Sequence, residues 1–137
     1  MLSASCEINI RFSEVDSMNI VWHGSYALYF EDAREAFGRK YGLKYLDIFE
    51  NGCYAPLVKL EFNFKNPLTY GKKALVNITF RNTESAKIVF DYEIVDTDDR
   101  SLIATGYSIQ VFLDKDYRLL WVNPPFYEAW KRKHGLI

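Results

Sequence analysis

Five segments of the chain alternate apolar and polar residues at every second position, which is the period of a strand with one buried face. They span residues 5–12, 58–65, 74–80, 86–94 and 103–111. Short connections rich in turn residues join the last four segments and suit antiparallel neighbours, because parallel strands need a longer crossover. We therefore expect an antiparallel sheet whose last four strands follow chain order. On the fifth strand, the positions expected on the apolar face are Ile103, Thr105, Tyr107, Ile109 and Val111.

The segment between the first two strands has a helical period instead. Its apolar residues recur three or four positions apart, as on a helix with one buried face. Arg39 and Lys40 fall in the last turn and Gly42 follows, which is typical of a helix C-terminus. The order β-α-β-β-β-β predicts an α+β domain with one long helix packed on a sheet, and residues 123–130 predict a short capping helix. The apolar stripe of the long helix consists of Tyr26, Tyr29, Phe30, Ala33, Phe37 and Tyr41.

Length and composition narrow the range of functions. The chain has 137 residues, close to the usual domain size of about 100–150, so we expect one domain over residues 1–137. The net charge of −1 favours neither nucleic acid nor an anionic membrane as a partner. No apolar run approaches the roughly 18–20 residues of a membrane helix. The first residues lack the basic and apolar regions of a secretory signal, so we expect none. Cys6 and Cys53 lie far apart outside any CxxC motif, which favours reduced thiols in a cytoplasmic protein over a disulfide.

One group of residues could carry chemistry. The serine-hydrolase elbow, the phosphate-binding loop, the dinucleotide fingerprint and the zinc-protease helix are all absent. With 2 His in the chain, we expect no multi-histidine metal site. We also expect no cofactor. Where the first strand meets the helix, Glu14 and Asp16 are followed after an apolar loop by His23 and Gly24.

This arrangement suits chemistry on a polarised carbonyl. The first N–H groups of a helix are unpaired and carry positive partial charge, so they can hold an anion or a carbonyl oxygen. Asp16 could face the same pocket as nucleophile or general base. Gly24, without a side chain, would let a substrate approach the helix closely. The residues alone do not choose the reaction.

Structural interpretations of the same residues stay open. Asp16 could cap a turn through its side chain, as loop aspartates do. His23 could be a helix-end residue satisfied by a hydrogen bond. Glu14 is expected to be a surface or ion-paired carboxylate rather than a second catalytic acid.

A family pattern runs through the region that contains these residues. It comprises Glu14, Asp16, Asn19, Ile20, Val21, Trp22, His23, Tyr26 and the run Phe30-Glu31-Asp32-Ala33-Arg34. The pattern resembles the hotdog-fold acyl-CoA thioesterases, in particular the 4-hydroxybenzoyl-CoA thioesterase and YbgC-like group. Glu14 stands where that group usually has Asp, and Asn19 where it usually has Gly; Asn tolerates the left-handed region. The resemblance implies a hotdog fold, in which an antiparallel five-stranded sheet wraps around one long central helix.

The resemblance also implies a function. It gives Asp16 and His23 catalytic roles, with the backbone N–H near His23 and Gly24 polarising the thioester carbonyl. The residues expected to contact substrate are Asn19, Val21, Trp22, Gly24 and Tyr26. A homodimer or homotetramer is expected, with sheets pairing edge to edge and active sites near the subunit boundary.

Other substrates and roles remain as alternatives to acyl-CoA hydrolysis. The thioester could be carried by an acyl carrier protein, or the chain could bind acyl-CoA without turning it over. Retention of Asp16 favours a hydrolase, since a binding module has no need of a nucleophile there. Basic residues at 71–73 and 131–133 are either partners of the CoA phosphates or solvated surface.

Overall fold

The computed structural model describes all of residues 1–137. The strands are β1 (Ser3–Ile8), β2 (Leu57–Phe64), β3 (Ala74–Arg81), β4 (Lys87–Asp96) and β5 (Leu102–Val111). The helices are α1 (Tyr26–Tyr41), α2 (Tyr45–Glu50) and α3 (Pro125–Lys133), with short 3₁₀ helices at Phe12–Glu14 and His23–Ser25. None of the helices is both long and apolar enough to span a membrane. The expected long helix and the capping helix near the C-terminus are confirmed, whereas α2 was not expected.

The five strands form one antiparallel sheet in the order β1-β3-β4-β5-β2. The expectation that the last four strands follow chain order is therefore wrong for β2, which pairs with β5 and not with β3. The connection over residues 65–73 reaches about 30 Å when extended, whereas three strand spacings take only about 14 Å. The chain thus crosses the sheet without a crossover helix, and β2 is left with one unpaired edge.

Helix α1 packs on one face of the sheet through the expected apolar stripe. Phe30, Ala33 and Phe37 are fully buried, and the Phe30 ring stacks on Tyr92 of β4 with centroids 4.0 Å apart. The helix ends at Gly42, whose φ of 77° lies in the left-handed region that glycine adopts without strain. These contacts confirm an antiparallel five-stranded sheet wrapped around one long central helix.

Strand β5 faces the helix with its small residues, so its predicted phase is wrong. Of the five expected positions only Ile103 is buried; Thr105, Tyr107, Ile109 and Val111 lie half-buried on the outer face, and Ala104, Gly106 and Ser108 are buried instead. A side chain at Gly106 would begin 2.7 Å from the Phe30 ring and 2.2 Å from the backbone oxygen of Glu61. The Ser108 hydroxyl hydrogen-bonds the Tyr92 hydroxyl at 2.5 Å. The rings of α1 and β4 fill the space that larger β5 residues would need.

The first strand ends earlier than its alternating pattern suggests. β1 stops at Ile8, and residues 12–14 form a 3₁₀ turn instead of continuing the strand to residue 12. The Glu14 amide donates to the Arg11 carbonyl (2.9 Å), and the Arg11 amide donates to the Glu14 carboxylate (2.7 Å). These two bonds turn the chain off the sheet edge and towards the start of α1.

Candidate active site

The connection between β1 and α1 folds into a tight loop. The Asp16 amide donates to the Ile20 carbonyl (2.9 Å), the Asn19 amide donates to the Asp16 carbonyl (3.0 Å), and Val15 bridges to Val21. Asn19 has a φ of 62°, in the left-handed region. The residue that departs from the family's usual glycine therefore keeps the conformation that glycine would provide.

The Asp16 carboxylate both caps this loop and keeps a free oxygen. Its Oδ1 accepts hydrogen bonds from the amides of Met18 (2.8 Å) and Ile20 (3.3 Å), so the capping interpretation holds for this atom. No protein group donates to Oδ2. Because Asp16 is only half-buried, this second oxygen is available to a substrate or a water.

The entrance of α1 presents unpaired backbone donors. The Trp22 amide donates to the Glu14 carbonyl (2.7 Å) and the Ser25 amide donates to the Trp22 carbonyl (2.9 Å). Between them, the amides of His23 and Gly24 have no acceptor in the structure. They occupy the first two positions of the 3₁₀ helix that runs into α1, where unpaired N–H groups carry positive partial charge.

Glycine is required at position 24 by the packing of a neighbouring ring, which the sequence did not indicate. A Cβ atom built on Gly24 would lie 2.1 Å from the Trp22 ring, so that ring occupies the space beside the glycine. We expected the missing side chain to admit a substrate. In the structure it admits Trp22, whose ring also packs on the His23 imidazole with centroids 4.9 Å apart.

One cavity of about 310 Å³ joins the loop to the helix entrance. Four residues expected in the site line it: Asp16, Val21, His23 and Tyr26. Three further residues expected to contact substrate do not line it: Asn19, Trp22 and Gly24.

The end of β2 forms the opposite wall of this cavity, which the sequence analysis missed. Phe64, Lys65, Asn66 and Pro67 line it together with Ile20. The amides of Lys65 and Asn66 both donate to the Ile103 carbonyl, at 2.9 and 3.1 Å, and hold this corner in place. The Lys65 ammonium makes no ion pair or hydrogen bond and is the only lysine or arginine of the cavity wall. The turn at Asn66-Pro67 was the one sequence signal at this position.

Other candidate groups have structural partners. Lys72 forms an ion pair with Asp96 at 3.3 Å. Lys131 is 1% exposed and donates to the Thr83 carbonyl at 2.6 Å, and burial lowers its pKa. Both thiols are free, and burial raises the pKa of Cys53, which suits a packing residue and not a nucleophile. Of the basic candidates for CoA phosphates, Lys72 and Lys131 are thus already engaged within the protein.

A second, larger cavity of about 600 Å³ lies further along α1. It is bounded by α1, α2, residues 54–56 and the adjoining ends of β4 and β5, and most of its lining is apolar. Arg34 lies at its wall, where its guanidinium donates to the Tyr92 hydroxyl (3.2 Å) and approaches Glu31 at 3.7 Å. The cavity volume is in the range of small-molecule pockets, roughly 300–1,000 Å³.

Comparison with known proteins agrees with the fold. The profile of the thioesterase-like superfamily matches residues 10–131. The putative acyl-CoA thioesterase YneP of Bacillus subtilis is 32% identical over 111 residues, which cover 80% of this chain and 79% of YneP. The crystal structure of a DHNA-CoA thioesterase from Staphylococcus aureus superposes with a TM-score of 0.86 at 28% identity, over 99% of this chain and 93% of that protein.

A more distant structure has the same fold. A 4-hydroxybenzoyl CoA thioesterase complexed with 4-hydroxybenzoyl CoA has a TM-score of 0.82 at 21% identity, covering 95% of this chain and 99% of that chain. The superfamily match spans most of the chain and includes both the Asp16 loop and the start of α1. The chain belongs to the thioesterase-like superfamily and has its hotdog fold.

Proposed function

We propose that the protein hydrolyses acyl-CoA thioesters, with Asp16 as nucleophile or general base and the helix entrance as the oxyanion site. The observation that carries this proposal is the shared cavity. Asp16 and His23 both line this cavity of about 310 Å³. Asp16 has one carboxylate oxygen without a donor, and His23 is the first residue of the 3₁₀ helix whose amides are unpaired. These are the groups that attack on a thioester carbonyl requires.

Two routes fit this geometry and give the same products. In the first, Asp16 attacks the carbonyl carbon, the C–S bond breaks, CoA leaves as a thiolate, and water hydrolyses the resulting anhydride. In the second, Asp16 takes a proton from a water that attacks the carbonyl. In both, the unpaired amide of His23, the residue of the helix entrance that lines the cavity, stabilises the oxyanion. Because a thiol has a pKa of about 8.5, the thiolate leaves without a strong general acid.

His23 contributes mainly through its backbone in this proposal. Its imidazole makes no hydrogen bond within the protein and packs on Trp22. The ring can therefore orient a water or the thioester, whereas the His23 amide is held in place by the helix. The known relatives support the substrate class, since YneP is named a putative acyl-CoA thioesterase and the Staphylococcus aureus protein a DHNA-CoA thioesterase.

We further propose a homodimer that pairs through β2. This strand ends the sheet with a free edge, and Val58 and Phe64 on it are 60% and 52% exposed. A two-fold axis perpendicular to the sheet would pair β2 with its copy in antiparallel register. The Phe64 end, beside the Asp16 cavity, would then adjoin the Leu57 end of the copy, beside the copy's larger cavity. An acyl group could extend from one cavity into the other.

Thiol release from a panel of acyl-CoAs tests the proposed reaction. Straight-chain and aromatic acyl-CoAs would be compared with the same acyl groups on an acyl carrier protein, in a reducing buffer that matches the cytoplasm, where we place the protein. The proposal predicts turnover of at least one acyl-CoA. Turnover restricted to the carrier-protein thioester would change the substrate class, and tight binding without turnover would indicate a binding module.

A further inference from the structure

Glu14 joins the Asp16 loop to helix α1 through both its side chain and its backbone. Its Oε1 accepts hydrogen bonds from the Arg11 amide (2.7 Å) and from the Tyr29 hydroxyl (3.0 Å). Its carbonyl accepts one from the Trp22 amide (2.7 Å). Glu14, two positions before Asp16, is thus hydrogen-bonded to the turn before the loop, to Trp22 and to α1.

Tyr29 is the anchor of this arrangement. It lies one turn into α1, is 2% exposed, and packs edge-on against Tyr26, which lines the Asp16 cavity. Burial, and then the hydrogen bond to Glu14, raise the pKa of Tyr29 well above its usual value, so its hydroxyl remains a donor. A rigid helix therefore presents one fixed donor to the carboxylate of a loop residue.

We infer that Tyr29 is a positioning residue, which acts through Glu14 to set the distance between the Asp16 carboxylate and the unpaired amides of His23 and Gly24. This inference rests on the proposed function. It adds the two residues that hold the Asp16 loop at a fixed distance from the entrance of α1.

The hydrogen bond between Tyr29 and Glu14 predicts which substitutions at these two positions lower the rate. Glu14 acts as a hydrogen-bond acceptor, so Gln, which keeps the Oε1 acceptor and loses the charge, should serve in its place. Ala removes the acceptor, and Phe at position 29 removes the donor while keeping the ring. A displacement of about 1 Å between reacting groups can reduce a rate by about 100-fold.

The principal test compares Tyr29→Phe with a matched control, Tyr127→Phe. Tyr127 is also fully buried and donates its hydroxyl to a backbone carbonyl, that of Lys87 at 2.8 Å, but it lies in α3 and lines neither cavity described above. Tyr29→Phe should lower kcat by about 10- to 100-fold with KM little changed. Tyr127→Phe should lose comparable stability and retain wild-type kcat.

The Glu14 variants separate positioning from acid–base catalysis. Glu14→Gln should keep kcat within about threefold of the wild type, whereas Glu14→Ala should fall as far as Tyr29→Phe. Amide hydrogen exchange gives a readout that does not depend on activity. In Tyr29→Phe, exchange should accelerate at residues 14–22 and stay unchanged in the sheet.

The outcomes distinguish this inference from the proposed function. Wild-type turnover with an inactive Asp16→Asn and a fully active Tyr29→Phe would overturn the inference and leave the proposed function standing. Equal losses in Glu14→Gln and Glu14→Ala would also overturn it, since the charge and not the hydrogen bond would then matter. Absence of wild-type turnover on every thioester would overturn both.

Discussion

Asp16 and Ile20 exchange two hydrogen bonds: the Asp16 amide donates to the Ile20 carbonyl at 2.9 Å, and the Ile20 amide donates to Asp16 Oδ1 at 3.3 Å. The pair closes the loop on itself and uses only one carboxylate oxygen. A structural role and a catalytic role therefore fall on different atoms of the same side chain. Variants of this loop can separate the two roles.

The loop conformation depends on a left-handed residue at position 19. Asn19→Ala should lower the free energy of unfolding by about 1 kcal/mol, because a residue with a Cβ and no local hydrogen-bonding group is strained at a φ of 62°. Asn19→Gly should stay within about 0.5 kcal/mol of the wild type. Urea unfolding of the three proteins measures this difference, and equal stability of the Ala and Gly variants would argue against the conformational explanation.

Two substitutions at His23 separate its ring from its backbone. His23→Ala removes the imidazole and keeps the amide, so kcat should fall less than tenfold. His23→Pro removes the amide, and the first position of a helix accepts proline. Trp22 has φ −63° and ψ 137°, which is compatible with a following proline. Since loss of one oxyanion donor costs about 10²–10³ in rate, kcat of the proline variant should fall by about that factor.

Steady-state kinetics together with the melting temperature decide this comparison. A proline variant that melts like the wild type and turns over as fast as His23→Ala would remove the amide from the proposed oxyanion site. A large loss of kcat in His23→Ala would show that His23 contributes to catalysis through its imidazole.

Two glycines that contact aromatic rings should respond differently to alanine. At Gly106 the new Cβ would meet the Glu61 backbone oxygen and the buried Phe30 ring, so Gly106→Ala should cost about 3 kcal/mol or more. At Gly24 the three nearest atoms to the new Cβ all belong to the ring of the exposed Trp22, which can move into solvent. Gly24→Ala should therefore shift the tryptophan emission to longer wavelength with a smaller loss of stability. Comparable destabilisation of both variants would contradict this account.

The regular part of the fold could be predicted from the sequence because its signals are local. The stripe of α1 and the buried faces of β3 and β4 follow from periodicity, and the left-handed Gly42 from its place after the last turn. The phase of β5 could not be predicted. Its outer residues, such as Tyr107 and Ile109, are more apolar than the Gly106 and Ser108 that face the helix, and the reason for that choice is the ring of Phe30 on a distant element.

The candidate site also has a part that could be predicted from local sequence and a part that could not. The Asp16 loop and the helix entrance are contiguous in the chain, so their residue pattern showed them together. Lys65 and its neighbours reach the cavity only because β2 pairs with β5 at the sheet edge, and that pairing depends on contacts far apart in sequence. The hydrogen bond between Glu14 and Tyr29 was missed because it joins residues 15 positions apart, between which no periodic pattern exists.

The proposed dimer makes a prediction about the free edge of β2. Val58→Asp places a charge on the pairing edge, opposite the Phe64 end of the copy's β2, and a charge on an edge strand opposes strand pairing, so the dimer should dissociate. Light scattering should then give 16.1 kDa in place of twice that mass, and thioesterase activity should fall with it. Val122→Asp is the matched control, since Val122 is 75% exposed and lies away from β2. A wild-type protein that is monomeric at micromolar concentration would contradict the dimer and the shared cavity.

The most direct test of the central claim is kcat of Asp16→Asn on the best acyl-CoA substrate, measured beside its melting temperature. The amide oxygen can still accept from Met18 and Ile20, so the loop should lose about 1 kcal/mol or less. The amide cannot act as nucleophile or base, and a general-base role alone is worth about 10²–10⁴ in rate. We predict that kcat collapses by at least 100-fold while the melting temperature stays nearly unchanged. A variant with reduced stability and near-wild-type kcat per folded molecule would show that Asp16 only caps the loop and that the active site lies elsewhere.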